Sequence, residues 1–172
     1  MDVKKDVNVK EKETQGDEPK NRAAAPHKLI KRYVLFSMGA GLIPIPWLDL
    51  GTLAGVQLKM LHRLSRYYGV QFSENKGKSI IAALVGTITA DSLKRGAFTS
   101  FIKTIPVLGY IGVFSMPIYA GATTYAIGKV FVQHFESGGT FLDFDPQKVK
   151  DYFAHLYEEG KIKASKLSPE KA

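Results

Sequence analysis

The chain has 172 residues, with 24 Lys/Arg against 16 Asp/Glu and a formal charge of +8. That length suits one domain with tails, and the lack of cysteine excludes disulfide frameworks and thiolate metal sites. Mean hydropathy is an ordinary -0.08, yet charged and apolar residues are sharply segregated along the chain, and the predicted elements follow that segregation.

Residues 1–32 hold nine Lys/Arg and six Asp/Glu with almost no aliphatic pattern. Such a stretch cannot bury enough apolar surface to offset its ordering entropy, so residues 1–27 are expected to form a disordered charged arm. Charges begin at Asp2 and no apolar core follows, which argues against a secretory signal.

Residues 28–142 read as helices punctuated by Pro and Gly, with helices expected at 27–43, 47–68, 75–103 and 110–137. Tyr33–Leu48 contains no charged side chain until the bend Gly-Leu-Ile-Pro-Ile-Pro-Trp-Leu-Asp-Leu, where Pro44 and Pro46 cut the first helix. Pro46 suits the first turn of the next helix, and Asp49 falls near the positive end of its dipole. A sharper alternative for Asp49 is a buried acid paired with Arg95 or Lys103.

The second helix ends in Lys59, Arg63 and Arg66, on neighbouring turns of one face, suited to anionic headgroups or a protein partner. Gly77-Lys78-Ser79 imitates the end of a phosphate-binding loop, but Phe72 stands where that motif needs glycine and no strand precedes it. The expected role of Gly77 is to relieve the bend before the third helix. Along that helix Thr87, Asp91, Arg95, Thr99 and Lys103 sit four apart, a polar stripe that a plain membrane span would not carry.

Thr104–Gly128 is a run of 25 uncharged residues, long enough for a membrane span but interrupted by Pro106, Gly109, Gly112, Pro117 and Gly121. The order apolar helix, Ile-Pro bend, apolar helix with a basic end occurs twice, which predicts two hairpins. Asp145 and Pro146 then start an amphipathic helix within 143–160, with Val149, Tyr152, Phe153 and Leu156 on its apolar face and Gly160 as its stop. Residues 161–172 are expected to be a flexible tail.

The fold class expected is all-α: two Pro-bent helical hairpins forming a four-helix apolar bundle, plus a C-terminal amphipathic helix. Lys28, Lys31 and Arg32 before the first hairpin, and Lys59, Arg63, Arg66, Lys76 and Lys78 between the two, place both termini on the cytoplasmic side of the inner membrane. His27, His62, His134 and His155 have no metal-ligand spacing, and no nucleophile elbow is present. The expectation is a non-enzyme with no cofactor and no nucleic-acid partner, whose ligands are membrane lipids. The alternatives are a soluble adaptor that packs with further copies of itself, and a channel component using Asp49.

The segments GLIPIPWLDLGTLAGVQLKMLHRLSRYYGVQFS, IPVLGY and TYAIGKVFVQHFESGG resemble the bacterial domain-of-unknown-function family 697, related to the YcjF membrane proteins. The resemblance covers roughly residues 30–142 and rests on Pro44, Pro46, Asp49, Met60, Tyr68, Gly69, Pro106, Gly109, Thr124, Tyr125 and Gly128. It implies membrane association and a link to Era-like GTPase domains, with no established catalysis. No such domain is expected in this chain, so a GTPase would be a separate partner acting in trans.

Overall fold

The computed structural model describes the backbone of residues 19–40, 49–94 and 108–167, and the side chains of 24–39, 51–88 and 116–167. The described residues form five helices and no strand: α1 (Pro19–Ala40), α2 (Asp49–Tyr68), α3 (Glu74–Lys94), α4 (Leu108–Glu136) and α5 (Lys150–Leu167). The all-α class follows directly. The Pro44, Pro46 and Pro106 bends lie outside the described residues, as do Arg95, Thr99 and Lys103.

Apolar residues recurring every three or four positions turn one stripe of each helix inward. Ile30, Val34 and Met38 of α1, Met60, Leu61 and Leu64 of α2, Ile80, Ile81 and Leu84 of α3, and Ile127, Val130 and Phe131 of α4 meet in one core. The hub is α4, which packs most extensively on α5 and α1 and then on α2. Among the described residues α3 leans on α2 and α5 more than on α4.

Gly121, which the sequence suggested as a break, and Gly128 serve as seats in the α1–α4 seam. A Cβ on Gly128 would lie 2.7 Å from Ile30, and one on Gly121 would lie 2.8 Å from Met38. Missing side chains there let α1 side chains sit against the α4 backbone, and Ser37 adds a hydrogen bond from its Oγ to the Ala120 carbonyl at 3.2 Å. Helix α4 is continuous through Pro117, and α1 is continuous through Pro26.

Gly160 does not end the last helix, which runs on to Leu167, so residues 161–167 are helical rather than a flexible tail. Its place in mid-helix has a packing reason. A Cβ there would come within 2.9 Å of both the Cα and the carbonyl oxygen of Ala122, so α5 crosses α4 in near backbone contact. Tyr152, expected on the buried face of α5, is 39% exposed, while Phe153, Leu156, Gly160 and Ala164 make that face. At the other end α1 includes residues 19–27, expected in the charged arm but helical.

Both α2 and α4 end in the same device. Gly69 and Gly138 adopt φ of 68° and 83°, the left-handed conformation glycine tolerates best. Val70 N–H donates to the Ser65 carbonyl at 2.8 Å and Gly139 N–H to the His134 carbonyl at 2.9 Å, which closes the orphan carbonyls of each last turn. Beyond these stops an aromatic cap seals the bundle. Phe131 stacks on Phe144 at 4.7 Å, Phe135 meets Phe141 at 5.5 Å, and His62 stacks on Phe72 at 4.7 Å.

Candidate functional site

Helix α1 packs antiparallel to α4 and to α2, which run parallel to each other, and this brings separate uncharged stretches to one level. These are residues 33–40 of α1, 50–58 of α2, 79–90 of α3 and 108–128 of α4. The levels are fixed by contacts: Ile30 against Gly128, Tyr33 beside Arg63, and Leu58 Cδ1 against Gly77. Nine residues of α2 and twelve of α3 run for roughly 14–18 Å at 1.5 Å per residue, while the stretch of α4 runs for roughly 31 Å. Its outward side chains include Leu35, Phe36, Thr52 and Ala82; Phe36 is 65% exposed.

Cations border the band on one side. Lys28, Arg32, Lys59 and Arg63 line a groove of about 500 Å³ between α1 and α2, together with Tyr33, Phe36 and Val56. The Arg63 guanidinium sits 6.0 Å from the Tyr33 ring centroid, within cation–π range. Lys59 and Arg63 thus converge with cations of α1 that are distant in sequence, whereas Arg66, one turn on, is exposed in the last turn of α2 and does not line the groove.

On the opposite side of α1 a second groove of about 510 Å³ is lined by His27, Lys31, Lys129, Lys163 and Lys166, with Ile30, Val34, Tyr125 and Leu167. Tyr125 organises its edge: its hydroxyl donates to Glu159 Oε1 at 2.9 Å and accepts from Lys163 Nζ at 2.6 Å. The same ammonium lies 4.5 Å from the centroid of the Tyr125 ring. Partial burial pushes the Tyr125 phenol up. The hydrogen bond from Lys163 holds the Glu159 carboxyl below its ordinary range. Burial opposes the Lys163 charge, but its bonds to Glu159 and Tyr125 outweigh that and raise its pKa. A cation is therefore pinned at this edge.

The remaining sequence-selected positions have structural surroundings. Thr124 is buried, and its Oγ1 accepts from Gln57 Nε2 at 3.4 Å, while Thr123 accepts from the same nitrogen at 3.3 Å. That polar link ties α2 to α4 inside an apolar core. Asp49 is the first residue of α2, so its backbone stands at the positive helix end, and Gly109 lies in the first turn of α4. Gly77 is buried within α3 against Leu58 rather than in a bend; Lys78 pairs with Glu74 at 2.6 Å and Ser79 bonds the Asn75 carbonyl. These side chains are used within the helix, and no phosphate loop exists there. Among the described residues no three His, Cys, Asp or Glu side chains are grouped to hold a metal ion.

Sequence reasoning missed Lys129, Lys163 and the Tyr125–Glu159 bond, since they meet only through the crossing of α5 over α4. Gly160 and Ala164, small residues four apart, are the signal that could have placed α5 there. Among the described residues no helix is long and apolar enough to cross a membrane.

The pattern of the domain of unknown function DUF697 matches residues 10–161. Magnetosome membrane protein 22 of Magnetospirillum gryphiswaldense is 37% identical over 151 residues, which cover 87% of this chain and 77% of that protein. No solved structure matches the chain. With seven-eighths of its length within the matched pattern, the chain belongs to the DUF697 family.

Proposed function

We propose that the chain is a non-catalytic, membrane-associated helical protein. It dips the uncharged band into one leaflet of the cytoplasmic membrane and holds its bordering cations among the headgroups. Both termini face the cytoplasm, and the charged end with α5 is offered to a cytoplasmic partner, for which a GTPase acting in trans is the favoured class.

The observation that carries this reading is the border on α1 and α2, where Arg32 and Lys59 adjoin the uncharged residues 33–40 and 50–58. On α2 and α3 the band, roughly 14–18 Å, matches one half of a ~30 Å hydrocarbon core. Cations at such a border gain about 1 kcal/mol each near an anionic surface. The outward Leu35 and Phe36 suit the acyl boundary, and the relative named as a membrane protein points the same way.

Extraction of membranes from cells expressing the full chain tests the proposal. Retention in the pellet through both a high-salt wash and alkaline carbonate is the expected result. Release by salt alone would mean that no part of the band enters the leaflet. A chain found in the soluble fraction as an oligomer would replace this reading with a self-packing adaptor bundle. For the partner, the expected outcome is co-purification of a GTPase that depends on its bound nucleotide; binding indifferent to nucleotide would count against a switch-type partner.

A further inference from the structure

We infer that the groove between α1, α4 and α5 is a site for a lipid phosphomonoester headgroup, a doubly chargeable phosphate attached to acyl chains. The inference rests on the membrane reading above but adds a selectivity which general attraction to a negative surface does not supply.

Three helices contribute to the groove: Lys31 from α1, Lys129 from α4, and Lys163 and Lys166 from α5. Against these four ammonium groups the nearby acid is Glu159, bonded to Lys163 at 2.7 Å. Among the described residues the local balance is therefore four positive charges and one negative, a surplus of three before His27 is counted. A phosphodiester offers one negative charge, whereas a phosphomonoester approaches two near neutral pH and presents three acceptor oxygens. The surplus favours the monoester.

The floor of the groove gives the second part of the argument. Ile30 and Val34 lie almost wholly buried, while Leu167, 40% exposed, supplies apolar surface beside the cations, which a free phosphate ion would leave uncovered. An acyl chain would cover it. Lys163 is held in place by Tyr125 and Glu159 before any ligand arrives, so part of the ordering cost of a flexible lysine is already met. The groove straddles the border of the uncharged band: Val34 and Tyr125 belong to the band, while Lys31 and Lys129 lie just beyond it, where headgroups are placed.

Vesicle flotation of the full chain at matched surface charge tests this. Vesicles of phosphatidylcholine alone are compared with vesicles containing phosphatidylglycerol, and with vesicles containing less phosphatidic acid so that total charge is equal. The wild-type chain is expected to bind phosphatidic acid about tenfold more tightly than phosphatidylglycerol, and Lys129→Gln/Lys166→Gln to lose that preference while keeping phosphatidylglycerol binding. Lys59→Gln/Arg63→Gln, in the other groove, should weaken both lipids alike. Circular dichroism melts confirm that each variant is folded, and Lys31→Gln alone serves as a milder second test.

Equal wild-type binding to the two acidic lipids would overturn the site and leave the membrane reading standing. Failure to float with any acidic vesicle would overturn both. If inorganic phosphate at millimolar concentration erased the preference, the groove would be a free-phosphate site and the lipid assignment would fall.

Discussion

Replacing Gly160 with alanine sets two known effects against each other. Alanine in a helix interior is favoured over glycine by about 1 kcal/mol, so a helical site with room for a methyl group should gain. At Gly160 that methyl would stand 2.9 Å from the Cα and carbonyl oxygen of Ala122 and 3.2 Å from Tyr125 Cδ1. Backbone cannot rotate aside, so the two helices must separate, an overpacking cost of about 1–3 kcal/mol. The separation also strains the Tyr125–Glu159 bond. Gly86 is the matched control: it lies inside α3, is exposed, and has nothing within 4 Å of a built Cβ. Gly86→Ala should therefore raise stability by about 0.5–1 kcal/mol, and Gly160→Ala should lower it by up to about 2 kcal/mol. For a domain of this size each kcal/mol moves the melting temperature by roughly 2–4 °C. Parallel melts of the wild type and both variants, followed by helical circular dichroism, read the difference. A Gly160→Ala chain that melts at or above the wild type would refute the close crossing of α5 over α4.

Phe131→Ala removes a fully buried ring that touches Phe135, Phe141 and Phe144, and should cost about 3–5 kcal/mol in denaturant unfolding. Glu159→Gln tests the pinned lysine through pH. The Glu159 carboxyl is depressed by its bond to Lys163, so its stabilisation is complete above the ordinary carboxylate pKa near ~4.3 and fades as pH falls through the lower folded value. The melting difference between wild type and Glu159→Gln should accordingly be largest at neutral pH and vanish in strong acid. Phe36→Asp leaves the 65% exposed site free of core contacts, so the fold should persist, while vesicle binding falls by about tenfold or more from the loss of an inserted ring. Unchanged flotation of that variant would remove the exposed face of α1 from the membrane contact.

Helix content and order were legible because apolar periodicity and Pro/Gly punctuation are local signals. The stop at Tyr68-Gly69 was readable for the same reason: a left-handed residue closing a helix is nearly always a small one. Glycines elsewhere misled, because sequence does not separate a glycine that ends a helix from one that admits a neighbour. Gly121, Gly128 and Gly160 belong to the second kind, and only the positions of Met38, Ile30 and Ala122 reveal it. The same holds for the cations. Lys59 and Arg63 were visible as a helical face, but their convergence with Lys28 and Arg32, and the meeting of Lys31 with Lys129 and Lys163, depend on which helices become neighbours.

The α1–α4 seam has a mechanical consequence. Ile30 and Met38 are lodged at Gly128 and Gly121 like two pegs in two notches, seven residues apart on α4 and eight on α1. Sliding α1 by one turn, 5.4 Å, would drive both pegs onto side chains of α4 and lift Lys28 and Arg32 away from Lys59 and Arg63. The spacing between the two clusters of positive charge on either flank of α1 is thus locked by a detent of two missing side chains. A surface that engages both flanks meets a gauge of fixed width, set before contact and insensitive to the long, flexible stems that carry the charges.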